Sequence, residues 1–405
     1  MIQRDLYLDN IKEFIDKPFI KVITGLRRSG KSTILNLLKE ELLLRGIESH
    51  QIIYLNFESF NTSELLEARK LYNYVKENIN STKKYYIFLD EIQEVTDWEK
   101  AVNSFLVDFK VDIFITGSNS RLLSSELSTF LAGRFVEFQI QTLSFMECLQ
   151  FNKKLKTEKS IIYQSFEYYL RMGGFPVLHT SDYSFDAAYK IIFDIYSSAV
   201  LRDTIQRYHI RDIELLERVV KYVFDNIGNS FSAKNIADFF KSQQRKIDLN
   251  TVYNYLNALE GAFIVHRIPR YDIKGREILK TQEKYFVGDH SLLYAVMGYK
   301  DRLIAGVLEN IIMLELKRRG YKVYIGKLGV KEIDFIAEKE SSKIYIQVAY
   351  LLPERTTVDR EFSALLEIKD HYPKYVVTMD TLWKDSIEGV KHYHIADFLL
   401  LKNFD

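Results

Sequence analysis

Cysteine is almost absent. Cys148 stands alone, so no intramolecular disulfide can form, which suits a reducing compartment. Proline and glycine are scarce, at 5 and 17 residues, which argues against long disordered linkers. A surplus of one charge is also lacking. Lys and Arg number 56 against 55 Asp and Glu, a net +1 that excludes a globally basic nucleic-acid binder but not a local basic patch. No uninterrupted apolar run approaches the ~20 residues a bilayer requires. The stretch "MIQRDLYLDNIKEF" carries charges throughout and no signal-like apolar core. These absences predict a cytoplasmic protein with no membrane partner. What is plentiful is core material: 47% of residues are hydrophobic and 14% aromatic, ample for two or three domains.

The apolar runs "FIKVIT" (19–24), "QIIYLNF" (51–57), "YYIFLDE" (85–91), "VDIFITGS" (111–118) and "FVEFQI" (135–140) alternate with helical patterns. Near-continuous apolar strands separated by helices predict an α/β fold, a parallel sheet of about five strands covered on both faces. Residues 1–17 read as a helix and 142–230 as helical, interrupted at "MGGFP". Further on come two short helices and two β-rich runs (231–290), then a long helix, "DRLIAGVLENIIMLELKRRGY". Three strands follow, then a helix over 359–371 and the runs "KYVVTM" and "VKHYHI".

The first run leads into "GLRRSGKST". Gly25–Ser32 matches G-x-x-x-x-G-K-[ST] between a strand and a helix, the context this phosphate loop requires. Gly25, Leu26, Arg27, Arg28, Ser29, Gly30, Lys31, Ser32 and Thr33 therefore form the candidate nucleotide-binding segment. Its backbone N–H groups and the helix N-terminus attract phosphate oxygens. Lys31 reaches the β- and γ-phosphates, and Ser32 ligates Mg²⁺. "YYIFLDEI" ends a buried strand in Asp90, a second Mg²⁺ holder, and Glu91, a base suited to orienting the attacking water. One strand lies between the two motifs, which points to the additional-strand, catalytic-glutamate class. No N-K-x-D-like guanine reader is visible, so ATP is the expected nucleotide. Asn119, or Ser118, at the end of "FITGSNS" is a candidate contact to the γ-phosphate or the water. Arg134 in "LAGRF" is a candidate arginine finger, with Arg121 a weaker one.

In order, "ITGLRRSGKST", "FLDEIQEVTDWEKAV", "ITGSNSRLLSSEL" and "LAGRFVEFQIQTLSFMEC" resemble the prokaryotic AAA+-type ATPases with a C-terminal domain of unknown function. The resemblance implies an ATPase core (1–141), a helical lid (142–230), a winged-helix segment (231–290) and a restriction-endonuclease-like α/β domain (291–405). It supplies no cellular role.

The downstream residues speak to what the energy serves. Ser232 caps one helix, Asn250 or Thr251 starts another, and "AFIVHRI" and "ILKTQEKYFV" read as two strands around a turn, a winged helix-turn-helix order. Residues 241–284 hold nine Lys/Arg against five Asp/Glu. Arg245, Lys246, Arg267, Arg270, Lys274 and Arg276 are the candidate phosphate contacts on DNA, although winged helices also serve as protein-contact modules. Farther on, Glu309, Asp334 in "EIDFI" and Gln347 in "YIQVAY" follow the E…D…(E/Q)-x-K order of the restriction-endonuclease fold. That chemistry needs acids for Mg²⁺ and a lysine beside the water. Ala349 stands where the lysine belongs and glutamine where an acid belongs, which predicts a scaffold without cutting activity. Lys331 and Lys343 are the candidates to replace that lysine. His392 and His394 share a strand face without a third zinc ligand in view, and Cys148 has no histidine nearby in sequence.

The leading expectation is an ATP-hydrolysing protein acting on nucleic acid or a protein client, as a homo-oligomer that shares Arg134 across its interface. The alternatives are a slow nucleotide-dependent switch in assembly or signalling and, weakened by the missing lysine, an ATP-gated nuclease.

Overall fold

A computed structural model describes residues 3–80, 82–119, 133–152, 158–245, 247–381 and 386–404. The chain divides into two compact units, residues 1–141 with 261–263, and 142–260 with 264–405. Among the described residues no helix is long and apolar enough to cross a membrane.

The first unit is built on five strands: β1 (Ile20–Thr24), β2 (Ile52–Asn56), β3 (Tyr85–Asp90), β4 (Val111–Gly117) and β5 (Phe135–Gln139). They are ordered β2-β3-β4-β1-β5, and every pairing is parallel. Both faces are covered, which is why these runs are apolar at nearly every position. Successive side chains point to opposite faces. Val22, Ile87 and Leu89 pack with Val102 and Phe105 on one face. Ile23, Phe88 and Phe114 pack with Ile34 and Leu38 on the other. The helices Ala68–Asn78 and Trp98–Asp108 supply the first layer, and Asp5–Lys12 and Lys31–Leu44 the second. The helix anticipated over 1–17 is confined to Asp5–Lys12, and the chain turns at Asp16, whose φ is +66°. The strand order matters for the site. β4 lies between β1 and β3, so its last residues sit between the ends that carry the two nucleotide motifs.

The second unit contains an eight-stranded sheet: β6 (Ser230–Phe231), β7 (Val265–Asp272), β8 (Glu277–Val287), β9 (Lys322–Leu328), β10 (Lys331–Lys339), β11 (Ser342–Val348), β12 (Lys374–Thr378) and β13 (Lys391–His394). The order is β13-β12-β11-β10-β9-β7-β8-β6. Residues 213–287 run helix, strand, two helices, then the β7–β8 hairpin. β7 also pairs in parallel with β9, Arg270–Asp272 against Ile325–Lys327, so the hairpin and the C-terminal strands form one sheet. Pairing satisfies the N–H and C=O groups that an open hairpin edge would expose. The late helix runs Arg355–Leu366, earlier than 359–371. It begins two residues after Pro353 and ends once Val358, Phe362 and Leu365 have met the core.

Candidate functional site

The phosphate loop leaves β1 at Thr24. Gly25 has φ +143°, and a Cβ there would lie 2.2 Å from the carbonyl oxygen of Ile140, so only glycine fits. Gly30, at φ +100°, opens the helix Lys31–Leu44, whose N-terminus has no side-chain cap. Its first-turn N–H groups therefore face outward with the positive end of the helix dipole. Leu26 is buried, Arg28 is exposed at φ +65°, Thr33 is half-buried, and Arg27 pairs with Glu58 at 2.5 Å. The Ser29 hydroxyl is buried without a hydrogen-bond partner. Lys31 Nζ donates to the carbonyls of Gly25 and Leu26 at 3.2 and 3.3 Å and lies 3.4 Å from the Glu91 carboxylate.

Asp90, fully buried at the end of β3, accepts from Thr116 Oγ1 at 2.6 Å, Tyr54 Oη at 3.0 Å, Ser32 Oγ at 3.1 Å and Asn56 Nδ2 at 3.3 Å. Burial raises its pKa, against the hydroxyls of Thr116 and Ser32, which favour the charged form. Glu91 follows in the left-handed region at φ +55°. Its N–H donates to Thr116 Oγ1 at 2.8 Å, and its carboxylate accepts from Gln93 at 2.6 Å. Burial pushes the Glu91 carboxyl up, but the Lys31 ammonium and the Gln93 amide outweigh it and hold the pKa below its ordinary value. One hydroxyl, Thr116, thus donates to Asp90 and accepts from Glu91. Thr116, Tyr54 and Asn56 were not singled out from sequence. The only signal was polar residues at the carboxyl ends of β2 and β4.

The residues fit Mg²⁺. Ser32 and Asp90 present hard oxygens side by side, and no cluster of three acidic, histidine or cysteine ligands exists among the described residues. Mg²⁺ suits such a sparse set, because it keeps waters and takes its remaining ligands from phosphate. Ser118 and Asn119 are buried just beyond β4. Arg134 is exposed immediately before β5, its carbonyl accepting from Ile20 N–H at 2.8 Å. It lies at the opposite end of the sheet from the phosphate loop, about 13 Å away along the strand. Arg121 and Lys246 lie outside the described residues.

In the second unit, Glu309 on the helix Ile304–Arg318 and Asp334 on β10 meet at one buried lysine. The expectation of a missing lysine needs correction. Lys284 on β8, not position 349, places its Nζ 2.9 Å from Glu332, 3.1 Å from Glu309 and 3.3 Å from Asp334. Burial disfavours its charge, but the three carboxylates prevail and raise its pKa. Glu309 is pushed up to about 8, chiefly by burial, and burial also raises Asp334. Asp334 accepts from Val348 N–H at 2.8 Å, while Gln347 bridges Asp334 N–H and Glu361. Lys331 and Lys343 pair instead with Glu367 and Glu338.

The basic candidates divide into two groups. Arg245 pairs with Glu214, and Arg267 lies 3.4 Å from Glu260 and 3.9 Å from Glu283. Arg270 donates to Gln282, and Lys274 and Arg276 are exposed in the β7–β8 turn. Cys148 is buried, with His179 Nε2 3.4 Å away, a neighbour that 31 residues of chain had concealed. His392 contacts Thr378, and His394 caps the helix Ile395–Leu399.

A family model described as "AAA domain" matches residues 17–149, and one described as "Domain of unknown function (DUF8612)" matches residues 163–303. An uncharacterized protein of Haemophilus influenzae is 40% identical over 401 residues, covering 99% of both chains. An uncharacterized protein of Methanocaldococcus jannaschii is 32% identical over 363 residues, 85% of this chain and 77% of that one. Among solved structures, a Walker-type ATPase of Pyrococcus abyssi is similar with a TM-score of 0.50 at 13% identity, covering 73% of this chain and 96% of that one. At that identity the likeness speaks for the fold. The loop, the five-stranded parallel sheet and these relatives agree: the chain belongs to the family of P-loop, AAA+-type ATPases with a C-terminal domain of unknown function.

Proposed function

We propose that the protein hydrolyses Mg-ATP, with Glu91 as the residue that orients the attacking water. The observation that carries this reading is the chain of contacts from Ser32 through Asp90 and Thr116 to Glu91. Residues 25–33 hold the phosphates, and Ser32 with Asp90 holds Mg²⁺, which when bound neutralises charge on the β- and γ-phosphate oxygens. Lys31 leans on two loop carbonyls and on Glu91. A γ-phosphate competes for that ammonium and frees the Glu91 carboxylate to accept a hydrogen bond from water. The water oxygen then bonds to the γ-phosphorus as its proton passes to the Glu91 carboxylate, and the bond to the β–γ bridging oxygen breaks, that oxygen leaving on ADP. Asn119 or Ser118 contacts the γ-phosphate. The remoteness of Arg134 from its own loop supports action in a neighbouring copy, which makes the working form a homo-oligomer.

By order of elements we read residues 142–230 as the helical lid segment and 231–290 as a winged helix-turn-helix. We read the C-terminal domain as a scaffold that does not cut nucleic acid, its acids occupied by Lys284. Arg270, Lys274 and Arg276 are the surface offered to a nucleic-acid backbone. A protein client is the second reading. It is favoured because Arg245 and Arg267 face acids of their own unit and the helix Leu249–Gly261 contains no lysine or arginine.

Nucleotide titration and ATP turnover test the site. Lys31→Ala is expected to abolish binding, and Glu91→Gln to bind ATP while turnover falls by roughly 100-fold or more. Parental turnover in Glu91→Gln would show that another group orients the water.

A further inference from the structure

Arg4 precedes the first helix and is 3% exposed. Its Nη1 donates to the carbonyl of Ser29 at 3.0 Å, and its Nη2 to the carbonyl of Gln141 at 2.9 Å. The guanidinium lies 4.6 Å from the centre of the Tyr7 ring, and the Tyr7 hydroxyl accepts from Gln141 N–H at 3.0 Å. A permanent cation is thus buried against the middle of the phosphate loop and against the residue that follows Ile140, the carbonyl on which Gly25 rests.

We propose that Arg4 is a positioning residue of the nucleotide site, holding the Ser29–Gly30 peptide in the orientation that phosphate binding requires. The peptide unit is planar and trans, so its C=O and N–H point in opposite directions. A guanidinium that pins the Ser29 carbonyl on one side directs the Gly30 N–H to the other. Gly30 is where the constraint matters most, because its φ of +100° comes with the wide freedom of glycine. The second bond, to Gln141, anchors the guanidinium to the segment leaving β5, which is itself tied to β1 by Ile140 N–H donating to Thr24 at 2.7 Å. The brace therefore fixes the loop relative to the sheet. Its work is done before nucleotide arrives, which lowers the ordering cost of binding. Hydrogen bonds from a charged donor are among the stronger ones, and a tenfold change in affinity needs only about 1.4 kcal/mol.

The inference rests on the phosphate loop binding nucleotide, and the experiment separates the two. Arg4→Ala and Arg4→Lys are compared with the parent by titration with fluorescent ATP and ADP analogues well below the melting temperature. Amide hydrogen exchange of residues 25–34 is measured without nucleotide. In Arg4→Ala the exchange of Gly30–Ser32 is expected to speed up, and affinity for both nucleotides to fall by about tenfold or more. Arg4→Lys, which reaches one carbonyl, should recover part of the affinity. A purely structural arginine would lower the melting temperature and leave the folded protein's affinity within about twofold of the parent. That result, with unchanged loop exchange, would overturn the proposal. A parent that binds no nucleotide would sink the ATPase reading instead, and the exchange comparison would still judge the brace.

Discussion

Replacing Lys284 by methionine keeps the length of the side chain and removes its charge. In the parent the ammonium lies within 3.3 Å of Glu309, Glu332 and Asp334. Glu309 and Asp334 are buried, whereas Glu332 is half-exposed. Removing one partner of a buried ion cluster leaves uncompensated charge and costs about 3–5 kcal/mol. For a unit of this size that lowers the melting temperature by about 6–20 °C. The sign of the pH dependence follows from the acids. The folded-state pKa values of Glu309 and Asp334 are raised, Glu309 to about 8, so each favours the folded state when protonated and loses stability as pH rises through its folded value. Without the lysine both values move higher still. Lys284 keeps its charge throughout this window, because its own pKa is raised in the folded protein. The deficit of Lys284→Met is therefore greatest above about pH 8 and shrinks toward pH 5, where protonation discharges the acids. Thermal or urea unfolding at intervals from pH 5 to 9 reads this directly, with the nucleotide-binding unit followed separately by its response to ATP. A pH-independent deficit, or one below about 1 kcal/mol at pH 8.5, would show that Lys284 is not what neutralises these acids. Divalent-metal-dependent nicking of DNA by the parent, lost in Asp334→Ala, would refute the scaffold reading itself.

Two further outcomes are expected. Arg134→Ala and Glu91→Gln should each be inactive alone, and mixing them should restore ATP turnover if one copy's arginine serves its neighbour's site. An active enzyme that sediments only as a monomer would refute this. Replacing Arg270, Lys274 and Arg276 together should weaken binding to unrelated DNA duplexes alike and reduce the salt slope by up to about three. A flat titration of the parent with duplex and single-stranded DNA, in ATP and in ADP, would decide for a protein client.

The nucleotide site was legible because its chemistry is local. Consecutive backbone N–H groups cradle a phosphate, so Gly25, Gly30, Lys31 and Ser32 must be neighbours in the chain, and Asp90 and Glu91 must end one apolar strand. The five parallel strands were legible for a related reason: burial on both faces leaves a continuous apolar run, and each run lies within two residues of an observed strand. Contacts between distant segments leave no such trace. Arg4 meets carbonyls 25 and 137 positions away, Thr116 joins Asp90 from 26 away, and Lys284 meets Asp334 across 50. A lysine in a strand carries the same local signature whether it faces water or a cluster of acids, two of them buried. Only the folding of β8 against the helix Ile304–Arg318 and β10 decides between them. The pairing of β7 with β9 was hidden likewise, since backbone hydrogen bonds between strands do not depend on which side chains the strands carry. Sequence set the elements and the phosphate loop; tertiary packing chose which buried charges meet.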